Sequence, residues 1–310
     1  MKTKIDIISG FLGAGKTTLI NKILNQILPK EKIAIIENEF GEIGVDGQIL
    51  EAHGVEIREI RSGCICCTLF GDFVLALNKL LTQIQLDRVI VEPTGLGRLS
   101  DILKACENVG KEKEIVLNMT VSVVDCLTYE MYSQMFGDFF RDQIQFAKTI
   151  FLSRTQLYRD KSVATVVDTI HQLNNEAKII STPWDQLTGA DIINYGQNNK
   201  GIIAGKIKCD DDFNHNHSAD DNFQSWSTNT LKRYSHKNFH AILDQLQNET
   251  IYGTIFRGKG IFKTPDGSWL QFNYVPGEIH FKKMDNQGES KIVIIGKGIK
   301  ITALNVLFDL

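Results

Sequence analysis

The sequence predicts an α/β fold, a parallel sheet with helices on both faces, followed by a small α+β domain. Three observations predict it. Short β-rich runs alternate with longer helical patterns through the first half of the 310-residue chain. A polar stretch at 198–222, with few apolar residues, interrupts that alternation and reads as a linker. Beyond it, 223–310 carries closely spaced strand runs joined by hairpin-like turns. The first domain is therefore set at 1–197 and the second at 223–310.

In chain order, Ile5–Ile8 is a buried strand, followed by a Gly-rich turn and a helix from Thr17 to Leu28. Ile33–Ile36 is a second strand, and Val55–Ile60 alternates at period two. Leu69–Ile84 is helical by its apolar spacing, and Arg88–Val91, Val116–Val124 and Thr149–Leu152 are further strands. Leu99–Asn108 and a single segment over Tyr129–Phe146 are the helices between them. Ser162–Asn174 and Lys178–Ile180 form one more helix–strand pair. In the second domain His236–Gln247 is helical, and Tyr252–Phe262, Trp269–Val275, Ile279–Lys283 and Lys291–Ile295 are strands. Turns fall at Pro265-Asp266-Gly267 and Pro276-Gly277, and Ile301–Leu310 is a closing helix.

Composition narrows the function. Hydrophobic residues make up 43% and charged residues 23%, an ordinary globular balance that excludes disorder as the main theme. The net charge of −3 lacks the basic surplus of a protein that binds nucleic acid by counterion release, so no nucleic-acid partner is expected. No apolar run approaches the roughly 20 residues of a membrane helix. The start, with Asp6 inside its apolar stretch, does not read as a signal peptide. Three of the six cysteines crowd at Cys64, Cys66 and Cys67, while Cys106, Cys126 and Cys209 are scattered. Such clustering points to metal or redox chemistry in a reducing compartment, which places the protein in the cytoplasm.

Gly10-Phe11-Leu12-Gly13-Ala14-Gly15-Lys16-Thr17 satisfies G-x-x-x-x-G-K-[ST] between a strand and a helix, the context a phosphate-binding P-loop requires. Glycines let successive N–H groups turn inward around phosphates, and the helix N-terminus adds partial positive charge. Lys16 reaches the β- and γ-phosphates in such a site, and the Thr17 hydroxyl holds Mg²⁺. A chance Gly-rich turn would not place strand, helix, Lys and Thr in register. Glu92-Pro93-Thr94-Gly95 follows the strand Arg88–Val91, where the carboxylate binds Mg²⁺ through water and the Gly95 amide senses a γ-phosphate. The alternative there is a loop glutamate beside a turn. Glu37, Glu39 and Glu42 lie in six residues at the end of the second strand, where ligands bind in open α/β sheets. The plainer reading of that stretch is a solvated acidic loop.

Three thiols within four residues, Cys64, Cys66 and Cys67, are not readily inert core cysteines. Thiolates suit Zn²⁺, with cobalt and copper behind it. Structural zinc takes four protein ligands, and only three are local. The fourth position falls to Glu37, to Glu42, to water or to a partner. A redox role competes, but C-x-C-C is not the C-x-x-C of thioredoxin-like proteins. His215 and His217, beside Asp clusters and Cys209, form a weaker metal candidate that reads better as solvated linker. His171 has no such company and receives no role.

Ser9–Thr18, Glu37–Asp46, Gly63–Cys67 and Glu92–Gly95 together resemble the CobW family, relatives of the nickel-enzyme maturation GTPases HypB and UreG. Phe256–Gly260 and Ile294–Gly296 resemble the CobW C-terminal module, so the likeness spans nearly the whole chain outside the linker. The resemblance implies a P-loop nucleoside triphosphatase, a Mg²⁺-dependent GTPase that binds zinc or a similar ion and delivers it to a client metalloprotein. By that likeness Gly10, Gly13, Ala14, Gly15, Lys16, Thr17 and Thr18 hold the nucleotide, and Glu92 and Gly95 form the second switch. Cys64, Cys66 and Cys67 are the metal motif, assisted by Glu37 and Glu42. Lys16, Thr17 and Glu92 would carry the hydrolysis, the C-terminal domain would meet the client, and a homodimer is compatible.

One segment departs from the family pattern. The family reads guanine with Asn-Lys-x-Asp, and here Ser153-Arg154-Thr155-Gln156 stands in that place. Hydrogen bonds to a charged group are worth ~1.5–3 kcal/mol, so loss of the Asp removes about tenfold or more of the preference over adenine. Ser153 and Gln156 are then the base-side positions, and GTP leads ATP by resemblance alone. Two rival readings remain: a metal- and nucleotide-responsive switch that delivers nothing, and an accessory to corrinoid cobalt insertion or reactivation.

Overall fold

The computed structural model describes residues 2–27, 31–37, 56–59, 69–157, 160–202, 224–284 and 290–309. The chain forms two compact units, Met1–His215 and Asn216–Leu310. In the first, the elements run β1 (Thr3–Gly10), α1 (Lys16–Ile27), β2 (Ile33–Glu37), β3 (Glu56–Glu59), α2 (Leu69–Gln83), β4 (Arg88–Glu92) and α3 (Leu99–Gly110). They continue with β5 (Ile115–Asp125), α4 (Tyr129–Met135), α5 (Gly137–Gln145), β6 (Thr149–Ser153), α6 (Asp160–Leu173), β7 (Lys178–Ile180), α7 (Gly189–Gly196) and β8 (Gln197–Ile202). The sheet order is β3-β2-β4-β1-β5-β6-β7, with every pair parallel, and β8 pairs antiparallel with β5.

Continuous apolar runs mark strands buried on both faces, and β1, β4 and β6 are buried almost throughout. Leu19, Ile20, Ile23, Leu24 and Ile27 of α1 recur at helical spacing and pack against Ile8, Ile35, Ile90, Val121, Val123 and Phe151. Each such side chain contributes about 1.5–3 kcal/mol by leaving water. Because every strand of the parallel set points the same way, β1, β4, β5 and β6 bring Gly10, Glu92, Asp125 and Ser153 to one edge of the sheet.

Two segments differ from the sequence reading. The helix expected over Tyr129–Phe146 is broken into α4 and α5 at Phe136 (φ −120°, ψ 9°). The break lets the Phe136 ring lie 4.8 Å from that of Phe11, a gain in aromatic packing that periodicity does not report. Residues 197–202 form β8, where a linker was expected from 198 onward. That strand is polar, so its pairing rests on backbone hydrogen bonds. Among the described residues, no helix is long and apolar enough to cross a membrane.

In the second unit, β9 (Gln224–Thr230), α8 (His236–Gln245), α9 (Glu249–Tyr252), β10 (Thr254–Lys263), β11 (Trp269–Val275), β12 (Glu278–Met284), β13 (Ser290–Lys297) and α10 (Ile301–Leu307) follow in order. The antiparallel sheet runs β12-β11-β10-β13-β9. Phe239, Leu243, Leu304 and Phe308 pack on Trp226, Phe262, Phe272, Ile292 and Ile294 to close one core. Strand β9 escaped the sequence reading because Gln-Ser-Trp-Ser-Thr-Asn-Thr buries only Trp226 and Thr230.

At the edge opposite Gly10, a charged cluster is sealed into the sheet. The Arg88 guanidinium donates to buried Asp6 through Nη1, and to Glu31 through Nε at 2.6 Å and Nη2 at 3.1 Å. Asn118 Nδ2 donates to the other Asp6 oxygen at 2.7 Å. Hydrogen bonding from Arg88, above all, holds the Glu31 carboxyl below its usual range. That contribution is present at neutral pH and is lost as acid protonates Glu31. Breaking a buried pair strands the other charge, so Arg88→Met is expected to cost about 3–5 kcal/mol in urea unfolding. With Asp6 left only the Asn118 amide in a dry site, burial holds its folded-state pKa above the unfolded value, so acidification should return part of that loss. Adding Asp6→Leu should recover most of it at neutral pH.

Candidate nucleotide site

The loop from Gly10 to Lys16 leaves the end of β1 and enters α1 directly. Gly10 has φ +143°, and a Cβ there would stand 2.4 Å from the Val123 carbonyl oxygen of β5. Only glycine can make this turn beside the neighbouring strand. Gly13 and Gly15 also have positive φ, and Ala14 N–H donates to the Phe11 carbonyl at 3.2 Å. Lys16 is 6% exposed, and its ammonium donates to the carbonyls of Gly10 (2.9 Å) and Phe11 (3.3 Å). Thr18, one residue into the helix beyond Thr17, is exposed.

Thr17 and Glu92 meet. The Thr17 hydroxyl donates to Glu92 Oε1 at 3.2 Å and lies 3.5 Å from Oε2, joining the first turn of α1 to the end of β4. A hydroxyl and a carboxylate are the hard oxygen donors that Mg²⁺ prefers, so this pair fits that ion. Three residues on, Gly95 lies against the loop: a Cβ there would stand 2.7 Å from Leu12 N and 3.0 Å from Leu12 Cα. The residue expected to read the terminal phosphate therefore touches the loop expected to hold it.

Residues without a motif support this contact. Gln143 of α5 is 1% exposed, and its Nε2 donates to the carbonyls of both Gly95 (3.1 Å) and Gly97 (2.8 Å). Its Oε1 is buried with no partner among the described residues. Next to it, Asp142 accepts from Ser100 N–H (3.1 Å) and Ser100 Oγ (2.6 Å) at the start of α3, and burial pushes its carboxyl upward. Phe11 packs among Tyr132, Phe136 and Phe140, at 4.6, 4.8 and 5.7 Å between ring centroids. Helices α4 and α5 thus grip the glycine loop through Phe11 and the 93–97 segment through Gln143.

The β6 side carries the other predicted positions. Arg154, at φ +57°, donates from Nη1 to the Gly13 carbonyl (3.0 Å) and to Asp125 Oδ2 (2.7 Å). The Asp125 Oδ1 accepts from Leu127 N–H at 2.9 Å. Ser153 and Thr155 are buried, and their hydroxyls have no partner among the described residues, while Gln156 is exposed. From the loop after β7, the Trp184 ring approaches Gly15, lying 3.1 Å from where a Cβ would stand. Lys22 of α1 fixes that turn by donating to the carbonyls of Trp184 (2.7 Å) and Leu187 (2.9 Å).

The predicted metal residues are placed only in part. Cys64, Cys66, Cys67 and Glu42 lie outside the described residues, as do Cys209, His215 and His217. Glu37 ends β2, where its backbone pairs in register with Glu92 of β4 and Glu59 of β3. The chain from Glu59 to Leu69, which contains the three thiols, therefore starts two strands from Glu92. Among the described residues, no group of three or more His, Cys, Asp or Glu stands close enough to hold a metal ion. Burial pushes the Cys106 and Cys126 thiols up to about 12, which makes them poor metal ligands at neutral pH.

A family model described as the CobW/HypB/UreG nucleotide-binding domain matches residues 4–181, and one described as the cobalamin synthesis protein CobW C-terminal domain matches residues 223–309. The chain is 28% identical over 317 aligned positions to zinc-regulated GTPase metalloprotein activator 1 of Schizosaccharomyces pombe, covering 87% of this chain and 74% of that protein. It is 33% identical over 187 positions to the zinc chaperone YeiR of Escherichia coli, covering 60% of this chain and 57% of that one. The solved Zn(II)-bound YjiA GTPase from E. coli covers 100% of this chain and 98% of its own, with TM-score 0.48 and 20% identity.

Gln143 gives a test of the support. Gln143→Leu removes donors from two carbonyls, and ~1–3 kcal/mol per stranded group is offset in part because the unpartnered Oε1 goes too. Gln143→Glu sets a carboxylate against the same carbonyls. Hydrogen exchange across 93–97 should therefore rise modestly in the first variant and strongly in the second, with the rest of the sheet unchanged.

Proposed function

This chain belongs to the CobW/HypB/UreG family, and from that premise we propose that it is a Mg²⁺-dependent GTP-hydrolysing protein that carries zinc to a client metalloprotein. The observation that carries the reading is the junction of Thr17 with Glu92, with Glu92 paired in register to Glu37. One strand end serves the phosphate loop, and its neighbour leads into the acidic stretch that contains Glu42 and precedes the thiols. Nucleotide and cargo sites built on β4, β2 and β3, which are hydrogen-bonded in the order β3-β2-β4, share a mechanical connection.

In this reading Lys16 exchanges the carbonyls of Gly10 and Phe11 for the β- and γ-phosphate oxygens. Mg²⁺, held by the Thr17 hydroxyl and the Glu92 carboxylate, would neutralise charge on those oxygens. Gly95 presents its N–H to the terminal phosphate while Gln143 holds its carbonyl, so departure of that phosphate releases the 93–97 segment. The same release at the β4 edge reaches β2 and the cargo ligands Cys64, Cys66, Cys67, Glu37 and Glu42. Site-to-site coupling is typically ~1–3 kcal/mol, or about 5–150-fold in affinity. A cluster of thiol ligands fits a reducing compartment, so we assign the protein to the cytoplasm. The antiparallel second unit, which the CobW C-terminal domain model matches, is assigned to client recognition.

Separate variants test the two sites. Lys16→Ala should lower steady-state GTP hydrolysis by at least about a hundredfold while zinc stoichiometry stays unchanged. Cys66→Ser with Cys67→Ser should abolish tight zinc binding, read with a chromogenic chelator, while GDP affinity holds. Unchanged turnover in Lys16→Ala would sink the hydrolytic reading, and retained zinc in the Cys variant would sink the cargo site.

A further inference from the structure

We infer that the base pocket accepts both guanine and adenine, so that this chain binds purine nucleoside triphosphates without a strict preference for GTP; the inference rests on the nucleotide-binding reading above. The sheet sets the direction in which a nucleotide lies. Glu92 and Gly95 sit on the β4 side of the glycine loop, which assigns the γ-phosphate end to that side. Arg154 and Trp184 contact Gly13 and Gly15 from the other side, at the ends of β6 and β7. The base therefore falls between the 153–157 turn and the 181–188 segment.

Guanine shows N1–H and a 2-amino group on the edge where adenine shows a bare N1 acceptor. A carboxylate facing that edge accepts both guanine hydrogens and repels the adenine lone pair. Sites built to bond a substrate N–H reject the analogue lacking it by about 10⁴–10⁵-fold. Residues 153–157 contain no carboxylate, and the one carboxylate of the 181–188 segment, Asp185, is exposed. The nearby Asp125 carboxylate is engaged by the Arg154 guanidinium and the Leu127 N–H, and Arg154 in turn bolts the turn to the glycine loop. The groups on the turn are Gln156, which is exposed, and the buried Ser153 and Thr155 hydroxyls, which have no partner among the described residues. All three are amphoteric. An amide that rotates half a turn offers its carbonyl to guanine or its amino group to adenine, and a hydroxyl donates or accepts. Neutral bonds of this kind separate the two bases by no more than about tenfold.

The test is calorimetric titration of the full chain with the Mg²⁺ complexes of non-hydrolysable GTP, ATP and ITP analogues. The GTP and ATP affinities should fall within about tenfold of each other, and ITP, which lacks the 2-amino group, should match GTP. Gln156→Asp should raise the GTP-to-ATP ratio by about tenfold or more. Asp185→Asn, on the exposed turn beside Trp184, should leave the ratio where it is. Exclusion of ATP by more than about tenfold would overturn the inference while leaving nucleotide binding intact. A Gln156→Asp variant that binds both nucleotides with an unchanged ratio would overturn it too, as would a change of about tenfold or more in the GTP-to-ATP ratio on Asp185→Asn. Failure to bind any of the three would instead refute the nucleotide reading beneath it.

Discussion

At the end of β1 the backbone must turn away from the sheet while still pressed against β5, and residue 10 can do so only without a Cβ. The turn at Gly10 sets where the next six residues run and where α1 begins. Every other part of the site is fitted to that loop. Phe11 is sunk into the aromatic rings of α4 and α5, Leu12 is touched by Gly95, Gly13 accepts from Arg154, and Gly15 lies beneath Trp184. Each contact comes from a different strand end or helix, so a change in what the loop holds is felt by all of them. Interiors packed this closely transmit strain rather than absorb it.

The two edges of the parallel sheet have opposite chemistry. At the amino edge the Asp6 and Glu31 carboxylates are met by Arg88, Lys4 and Asn118, a network in which each charge has a partner. At the carboxyl edge, polar groups are only partly satisfied by one another. The Gln143 Oε1 and the hydroxyls of Ser153 and Thr155 are buried with no partner among the described residues. Buried polar groups in native proteins are nearly all bonded, so such exceptions mark places built for something else. The contrast matches the proposed division of the fold into an edge that serves stability and an edge that serves binding.

The sequence made the glycine loop, the parallel strands and the family likeness legible because each is a local pattern. Strand runs such as Ile5–Ile8 and Arg88–Val91 announce themselves by composition, and G-x-x-x-x-G-K-T by spacing. Gln143, Arg154, Trp184 and Lys22 were not legible as site residues, since each acts through a contact 48, 141, 169 or 162 positions away. Ser153 and Gln156 were picked out only because the family pattern is altered there. The break at Phe136 and the polar strands β8 and β9 escaped for a related reason: tertiary packing and backbone pairing decided them, against or without a hydrophobic period. The second unit was legible through its turns, where Pro276-Gly277 requires positive φ at the glycine.

Coupling is the central claim of the proposed function: the phosphate end of the nucleotide answers to β4, and the proposed zinc ligands follow β2, its neighbour, and β3, one strand further. The most direct measurement is zinc affinity by chelator competition on the full chain, loaded with a non-hydrolysable GTP analogue, with GDP, or with no nucleotide. The account predicts affinities that differ several-fold between the triphosphate and diphosphate states, within the about 5–150-fold range typical of coupled sites. Equal affinities in all three states would contradict it, and would leave a nucleotide site and a thiol motif that share a chain without sharing a mechanism.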